Sequence, residues 1–213
     1  MKISRQVIHD AMQLSEFDQW IPDFDAKHLD RPRRRPDELP GEGRKGAVLI
    51  LAYPDGDSIE IALTKRTQKL KHHAGQISLP GGRQEPGEAL TVTALRETHE
   101  ELGVSATNIE VLGHLNQVYI PPSDFTVFPI VGWLSTAPDF RPSDDEVAEI
   151  ITVTIQYLME PATLTRGTIE IGSQQLDVPF YKVQEHRVWG ATAIILREFL
   201  LRIESVLGKI AES

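Results

Sequence analysis

The chain has 213 residues, 40% hydrophobic and 25% charged, which suits one globular domain with a real core. It contains no cysteine, so a disulfide framework, a thiol nucleophile and a cysteine-based zinc site are excluded. The net charge of -9 argues against a nucleic-acid partner. An anionic substrate would need a local basic cluster or a bound cation to reverse the sign.

The first residues, Met1-Lys2-Ile3-Ser4-Arg5-Gln6, lead into no apolar run, and no stretch approaches the ~18 apolar residues of a membrane span. The last three, Ala211-Glu212-Ser213, spell no known sorting tripeptide. A cytoplasmic protein with no membrane partner is the expectation.

Residues 3–15 space Ile3, Val7, Ile8, Ala11, Met12 and Leu14 as a helix would. Residues 20–45 carry prolines, glycines and the basic run Arg31-Pro32-Arg33-Arg34-Arg35-Pro36, and read as an extended arm. Its bland role is a solvated linker; the alternative is contact with a phosphate or another subunit.

Residues 47–53 and 58–64 are strand candidates joined by the turn Pro54-Asp55-Gly56-Asp57, hence a hairpin. Residues 88–102 form the clearest helix. Residues 109–120, 125–134 and 149–154 read as strands, and 168–171 and 176–182 as weaker ones. Residues 188–206 suggest a closing helix with Ile194, Ile195, Phe199 and Ile203 in the core. This alternation predicts an α/β class with a mixed β-sheet covered by helices.

Two lookalikes fail on context. Gly41-Glu42-Gly43-Arg44-Lys45-Gly46 fits a dinucleotide fingerprint as a string, but a proline-rich arm precedes it and a strand follows. His99-Glu100-Glu101-Leu102-Gly103 begins like a zinc protease helix, with Gly103 where the second histidine belongs.

Arg96-Glu97-Thr98-His99-Glu100-Glu101 is the densest charge cluster. On a helix Glu97, Glu100 and Glu101 share one face and repel one another. A hard divalent cation would compensate, since Mg²⁺ prefers oxygen ligands, and Arg96 could orient a carboxylate through its forked donors. Read alone, the cluster is equally an exposed, salt-bridged helix face. Leu79-Pro80-Gly81-Gly82 before the helix allows close approach of backbone to a ligand, and Gly103 supplies a helix stop.

Residues 82–104 resemble the Nudix box. Its pattern is Gly, five residues, Glu, seven residues, Arg-Glu, an aliphatic, one residue, Glu-Glu, one residue, Gly and an aliphatic. Gly82, Glu88, Arg96, Glu97, Glu100, Glu101, Gly103 and Val104 fall in place, and Thr98 departs at the first aliphatic position. The resemblance implies a Nudix α/β/α sandwich that hydrolyses a nucleoside diphosphate linked to another group. It implies Mg²⁺ or Mn²⁺ held by Glu97, Glu101 and Glu100 near the carbonyl of Gly81, with Arg96 orienting and Glu88 supporting. Glu97, Glu100 and Glu146 are each candidates for the general base.

Upstream, Lys65, Arg66, Lys69, Lys71, His72 and His73 form a basic cluster. Residues 62–82 resemble the signature of coenzyme A pyrophosphatases within that family: Leu63, Thr64, Arg66, Gly75, Pro80, Gly81 and Gly82 match, while Ala62, Thr67, Lys71 and Leu79 depart. Lys71 keeps a charge but lacks the planar fork of arginine. Residues 123–132, 143–147 and 188–193 also look like that subfamily. The implied reaction splits coenzyme A or acyl-CoA into 3′,5′-ADP and 4′-phosphopantetheine or its acyl derivative. Arg66, Lys71, Gly75 and Gly82 would hold the substrate. Other readings are a Nudix pyrophosphatase for ADP-ribose, NADH, a nucleotide sugar or a nucleoside triphosphate, and a non-catalytic Nudix-fold binding module. Residues 1–45 are expected to form an N-terminal helical extension with the arm, and 46–213 the Nudix domain; a homodimer is compatible with the chain. Tyr119 and Phe125 are candidates to line a cleft, Trp189 and Gly190 to pack, and His72, His73 and His186 carry no assignment.

Overall fold

The structure, a computed structural model, describes residues 2–14, 44–69, 74–120, 123–171 and 174–212. The Arg31–Arg35 run, Lys71, His72 and His73 lie outside the described residues.

The elements in chain order are α1 (Arg5–Met12), β1 (Arg44–Asp55), β2 (Ser58–Arg66), β3 (Ile77–Ser78), β4 (Gly81–Arg83), α2 (Leu90–Leu102), β5 (Glu110–His114), β6 (Val118–Ile120), β7 (Phe125–Trp133), β8 (Val147–Thr154), α3 (Ile155–Leu158), β9 (Leu164–Ile171), β10 (Gln174–Val183), β11 (His186–Trp189) and α4 (Gly190–Glu212). β1 to β8 build an eight-stranded mixed sheet, in which β1 and β7 run parallel and the other pairs antiparallel. β9, β10 and β11 form a separate antiparallel sheet.

β1 is buried on both faces, and its alternation divides the core. Ala47, Leu49, Leu51 and Tyr53 pack with Ala94 and Leu102 of α2. Ile50 and Ala52 point the other way, into a larger cluster with α1 and α4. Helices therefore cover both faces of the sheet, which is the expected α/β/α sandwich. α1, from the expected N-terminal extension, shares the larger core through Val7, Ile8, Ala11 and Met12. Ser4 caps it by accepting the Val7 N–H at 3.3 Å.

α4 buries Leu196, Phe199, Leu200 and Ile203, one stripe at helical spacing. Phe199 is fully buried, so Phe199→Ala is expected to cost about 3–5 kcal/mol in chemical denaturation. A loss below ~1 kcal/mol would contradict this packing. The buried pair Glu198–Arg202 fastens neighbouring segments to α4. Glu198 accepts the Asn116 N–H at 3.1 Å, and Arg202 donates to the Leu14 carbonyl at 3.3 Å.

Several elements differ from the sequence expectation. Residues 109–120 are two strands, β5 and β6, which both pair with β7 and are separated by a break at residues 115–117. The closing helix begins at Gly190; residues 186–189 extend the small sheet, with Trp189 opposite Phe180. Ile194 is only partly buried. α2 starts at Leu90, two residues later than expected.

The geometry that matters for the site arises where β1 and β2 part. β2 pairs with β1 over Ala52–Asp55, and β4 takes the same edge of β1 over Gly46–Val48. β3 holds the other flank of the gap, with Ser78 opposite Thr64. The Leu49 N–H donates to the Pro80 carbonyl at 2.8 Å. Residues 77–83 are thus threaded between two strands and delivered beneath α2.

Candidate active site

α2 presents its acidic residues in a gradient rather than on one uniform face. Glu101 is buried, at 2% side-chain exposure; Glu97 is mostly buried, at 14%; Glu100 stands in solvent, at 56%. Thr98, at the aliphatic position of the motif, is buried, and its hydroxyl donates to the Ala94 carbonyl at 2.7 Å. That back-bond satisfies the hydroxyl within the helix, which explains why the substitution is tolerated.

Arg96 is the hub. Nε and Nη2 donate to the two oxygens of Glu88 at 2.9 and 3.1 Å. Nη1 donates to Glu97 at 2.9 Å and Glu100 at 3.2 Å, and Nη2 also reaches the Arg83 carbonyl at 3.1 Å. Sequence reasoning allowed Arg96 one carboxylate; the fold gives it three. Glu88 sits just before the helix, with the Thr93 hydroxyl on it at 2.7 Å, and these donors hold its pKa down to about 2. The pairing in turn raises the pKa of Arg96. Glu88 thereby braces Arg96.

Glu97 and Glu101 are shifted the other way. Burial is the main cause for both, and it pushes Glu101 up to about 8. Arg66 and the Gly81 backbone N–H counter this, while Glu97 and Glu146 repel Glu101. Glu146, on the loop between β7 and β8, therefore belongs to the same electrostatic cluster. That loop is fastened: the Thr67 N–H donates to the Glu146 carbonyl at 3.0 Å, and the Ser143 N–H to the Glu101 carbonyl at 3.0 Å.

The double glycine matters by close approach. A Cβ on Gly82 would lie 2.4 Å from the Glu97 carboxyl carbon, so the lack of a side chain there leaves the space that the Glu97 carboxylate occupies. Gly81, at φ +152°, has Ala47 O 2.3 Å from where its Cβ would stand.

The upstream basic cluster is divided by strand alternation. Arg66 faces α2, its Nη1 3.8 Å from Glu101 Oε1. Lys65 points to the opposite face and pairs with Glu149 at 3.2 Å. Lys69 is exposed. Gly75 donates its N–H to the Arg66 carbonyl at 3.1 Å, so it closes the turn after β2. The Tyr119 hydroxyl donates to Asp124 at 2.9 Å, and the Phe125 ring covers Gly46.

The chemistry of the donor set fits a hard divalent cation. Glu97, Glu100, Glu101 and Glu146 offer only carboxylate oxygens. Glu101 Oε2 is buried with no hydrogen-bond partner, and so is Arg66 Nε. A buried carboxylate oxygen without a donor is costly unless a cation compensates it. Among the described residues the one group of three whose ligand atoms lie within 4.8 Å of one another is a different one: Glu149, Glu185 and His186. There Lys65 and His186 already occupy both oxygens of Glu149, at 3.2 and 3.3 Å. Lys65 and His186 fill that position, and buried His186 of β11 ties the small sheet to Glu149 of β8.

The NUDIX domain family model matches residues 43–171, more than half of the chain. The chain belongs to the Nudix family. It is 37% identical to Nudix hydrolase 3 of Caenorhabditis elegans over 171 residues, covering 72% of this chain and 71% of that one. It is 36% identical to the Nudix hydrolase NudL of Pectobacterium atrosepticum over 170 residues, covering 75% and 83%. It is also 36% identical to the peroxisomal coenzyme A diphosphatase NUDT7 of Mus musculus over 118 residues, covering 55% of this chain and 50% of that one. Among solved structures, the Nudix hydrolase RenU from M. Smegmatis aligns at a TM-score of 0.52 and 18% identity, covering 78% of this chain and 86% of that one, and bears out the fold. The protein is thus a Nudix hydrolase, an enzyme of phosphorus-containing acid anhydrides, the family whose members generally use divalent metals. No described helix is long and apolar enough to cross a membrane.

Proposed function

We propose that this Nudix hydrolase cleaves the diphosphate of coenzyme A or acyl-CoA, with Mg²⁺ or Mn²⁺, to 3′,5′-ADP and 4′-phosphopantetheine or its acyl derivative. One observation carries the reading. Arg66, from the upstream segment that resembles the coenzyme A signature, stands beside buried Glu101 of the Nudix box. The two motifs meet at one point, so the cation that reads substrate phosphate adjoins the carboxylates that hold metal. The similarity to a relative named as a coenzyme A diphosphatase supports it.

Glu97, Glu101 and Glu100 would hold the metal. When bound, it neutralises the diphosphate and lowers the pKa of a bound water. The chain's own groups do the rest. Arg96 fixes Glu97 and Glu100 through its bonds at 2.9 and 3.2 Å, so neither carboxylate has to be ordered when substrate arrives. Glu97, Glu100 or Glu146 takes the proton of the attacking water. Arg66 holds a phosphate oxygen through donors that Glu101 does not consume.

With purified protein and Mg²⁺, kcat/KM for coenzyme A should exceed that for ADP-ribose, NADH and a nucleoside triphosphate by at least about tenfold, ~1.4 kcal/mol of transition-state discrimination. Preference for another of these would keep the family chemistry and discard the coenzyme A assignment. Arg66→Ala should lose more activity on coenzyme A than on its 3′-dephospho form. Equal losses would remove Arg66 from 3′-phosphate recognition.

A further inference from the structure

A cleft of about 780 Å³ opens beside Glu97 on the side of the β4–α2 loop, lined in part by Arg83, Gln84, Glu85, Glu88, Arg96 and Glu97. Its size is that of a small-molecule site. Most of its polar groups are already committed. Arg96 is shared among Glu88, Glu97, Glu100 and a backbone carbonyl. Glu88 is held by Arg96 and Thr93, and the Gln84 side-chain amide donates to the Glu88 carbonyl at 2.6 Å. Arg83 differs. Its backbone is fixed by pairing with Gly46 and by the Arg96 bond to its carbonyl, while its side chain is exposed and makes no hydrogen bond or ion pair with any described residue.

We propose that Arg83 binds the diphosphate of the substrate in this cleft. The inference rests on the metal-dependent hydrolase reading above and adds a residue to it. Arg83 directly follows Gly82, whose Cβ, if it had one, would stand 2.4 Å from the Glu97 carboxyl carbon, and Arg83 and Glu97 both line the cleft. An anion drawn to cations held by Glu97 in this cleft meets Arg83 on the same lining. Glu85 also lines the cleft and repels an anion there, which favours the Arg83 end. A guanidinium on a fixed backbone can meet two phosphate oxygens at once. Because the diphosphate is common to the whole substrate class, Arg83 contributes affinity to all of them, whereas Arg66 discriminates on the 3′-phosphate.

Imidodiphosphate, which lacks the hydrolysable anhydride oxygen, serves as the probe, titrated calorimetrically in the presence of Mg²⁺. Arg83→Ala should bind it at least about fivefold more weakly than wild type, with Arg83→Lys intermediate, as expected for loss of a forked phosphate contact. KM should rise in parallel and equally for coenzyme A and its 3′-dephospho form, with an unchanged melting temperature because the Arg83 side chain is exposed. Binding by Arg83→Ala within about twofold of wild type, the scale of an ordinary exposed charge, would overturn the proposal. So would failure of the wild type to bind imidodiphosphate. If wild type binds it but cleaves neither nucleotide, the coenzyme A reading fails while the titration still judges Arg83.

Discussion

Glu97→Gln should lower kcat by at least about a hundredfold without loss of fold, the scale of removing one preorganised charged group from a phosphoryl-transfer site. Glutamine is nearly isosteric and its Oε1 can still accept the Arg96 bond of 2.9 Å, so the brace survives. What disappears is the charge, and with it the strongest kind of oxygen ligand for a hard cation. The fold should gain slightly. Glu97 repels buried Glu101 and itself pays for burial, so its neutralisation relieves both. A melting temperature equal to or above wild type, together with the collapse in kcat, is the expected signature. Activity within a few-fold of wild type would sink the role assigned to Glu97.

The second large effect is a pH-dependent stability that a divalent metal reverses. The pKa of Glu101 in the fold, about 8, lies above its ordinary value of 4.5 because burial disfavours the charged form. The neutral form therefore contributes stability below about pH 4.5, and that contribution is lost as the pH rises through about 8. Glu97 shifts in the same direction. Glu88, Glu110 and Glu149 shift downward, so their contributions are lost only in acid and leave the range from pH 5.5 to 8.5 untouched. Metal-free protein should therefore melt lower at pH 8.5 than at 5.5. Added Mg²⁺ should raise the melting temperature at pH 8.5 by about 4 °C or more, and less at 5.5, where protons compete for the same oxygens. Glu101→Gln should abolish most of the slope. A melting temperature flat across this range, with equal metal shifts at both ends, would contradict the account.

The sequence was legible where chemistry follows local spacing. The helix carrying Glu97, Glu100 and Glu101, its stop at Gly103 and the hairpin of β1 and β2 all came from periodicity and turn residues. What spacing could not show was depth. Three glutamates at i, i+3 and i+4 look alike on a helical projection, yet the loop from 141 to 147 closes over Glu101 and leaves Glu100 in water. Nor could spacing show the pairing of Arg66 with Glu101, which depends on β1 and β2 parting to admit residues 77–83. The basic cluster looked continuous along the chain because strand alternation, which sends Lys65 and Arg66 to opposite faces, acts only once the sheet has formed. The closing helix was drawn two residues long at its start because Val188 and Trp189 are apolar. Gly190, at φ +64°, turns the chain from strand to helix there. Arg83 carried no signal beyond one charge after a double glycine; its interest comes from the cleft and from the saturation of its neighbours.

The most direct measurement is the identity of the products formed from coenzyme A in the presence of Mg²⁺, resolved by chromatography against standards. The account predicts 3′,5′-ADP and 4′-phosphopantetheine in equal amounts, with no 3′-dephospho-coenzyme A. Release of inorganic phosphate from the 3′ position, or intact coenzyme A alongside turnover of another nucleotide, would contradict it.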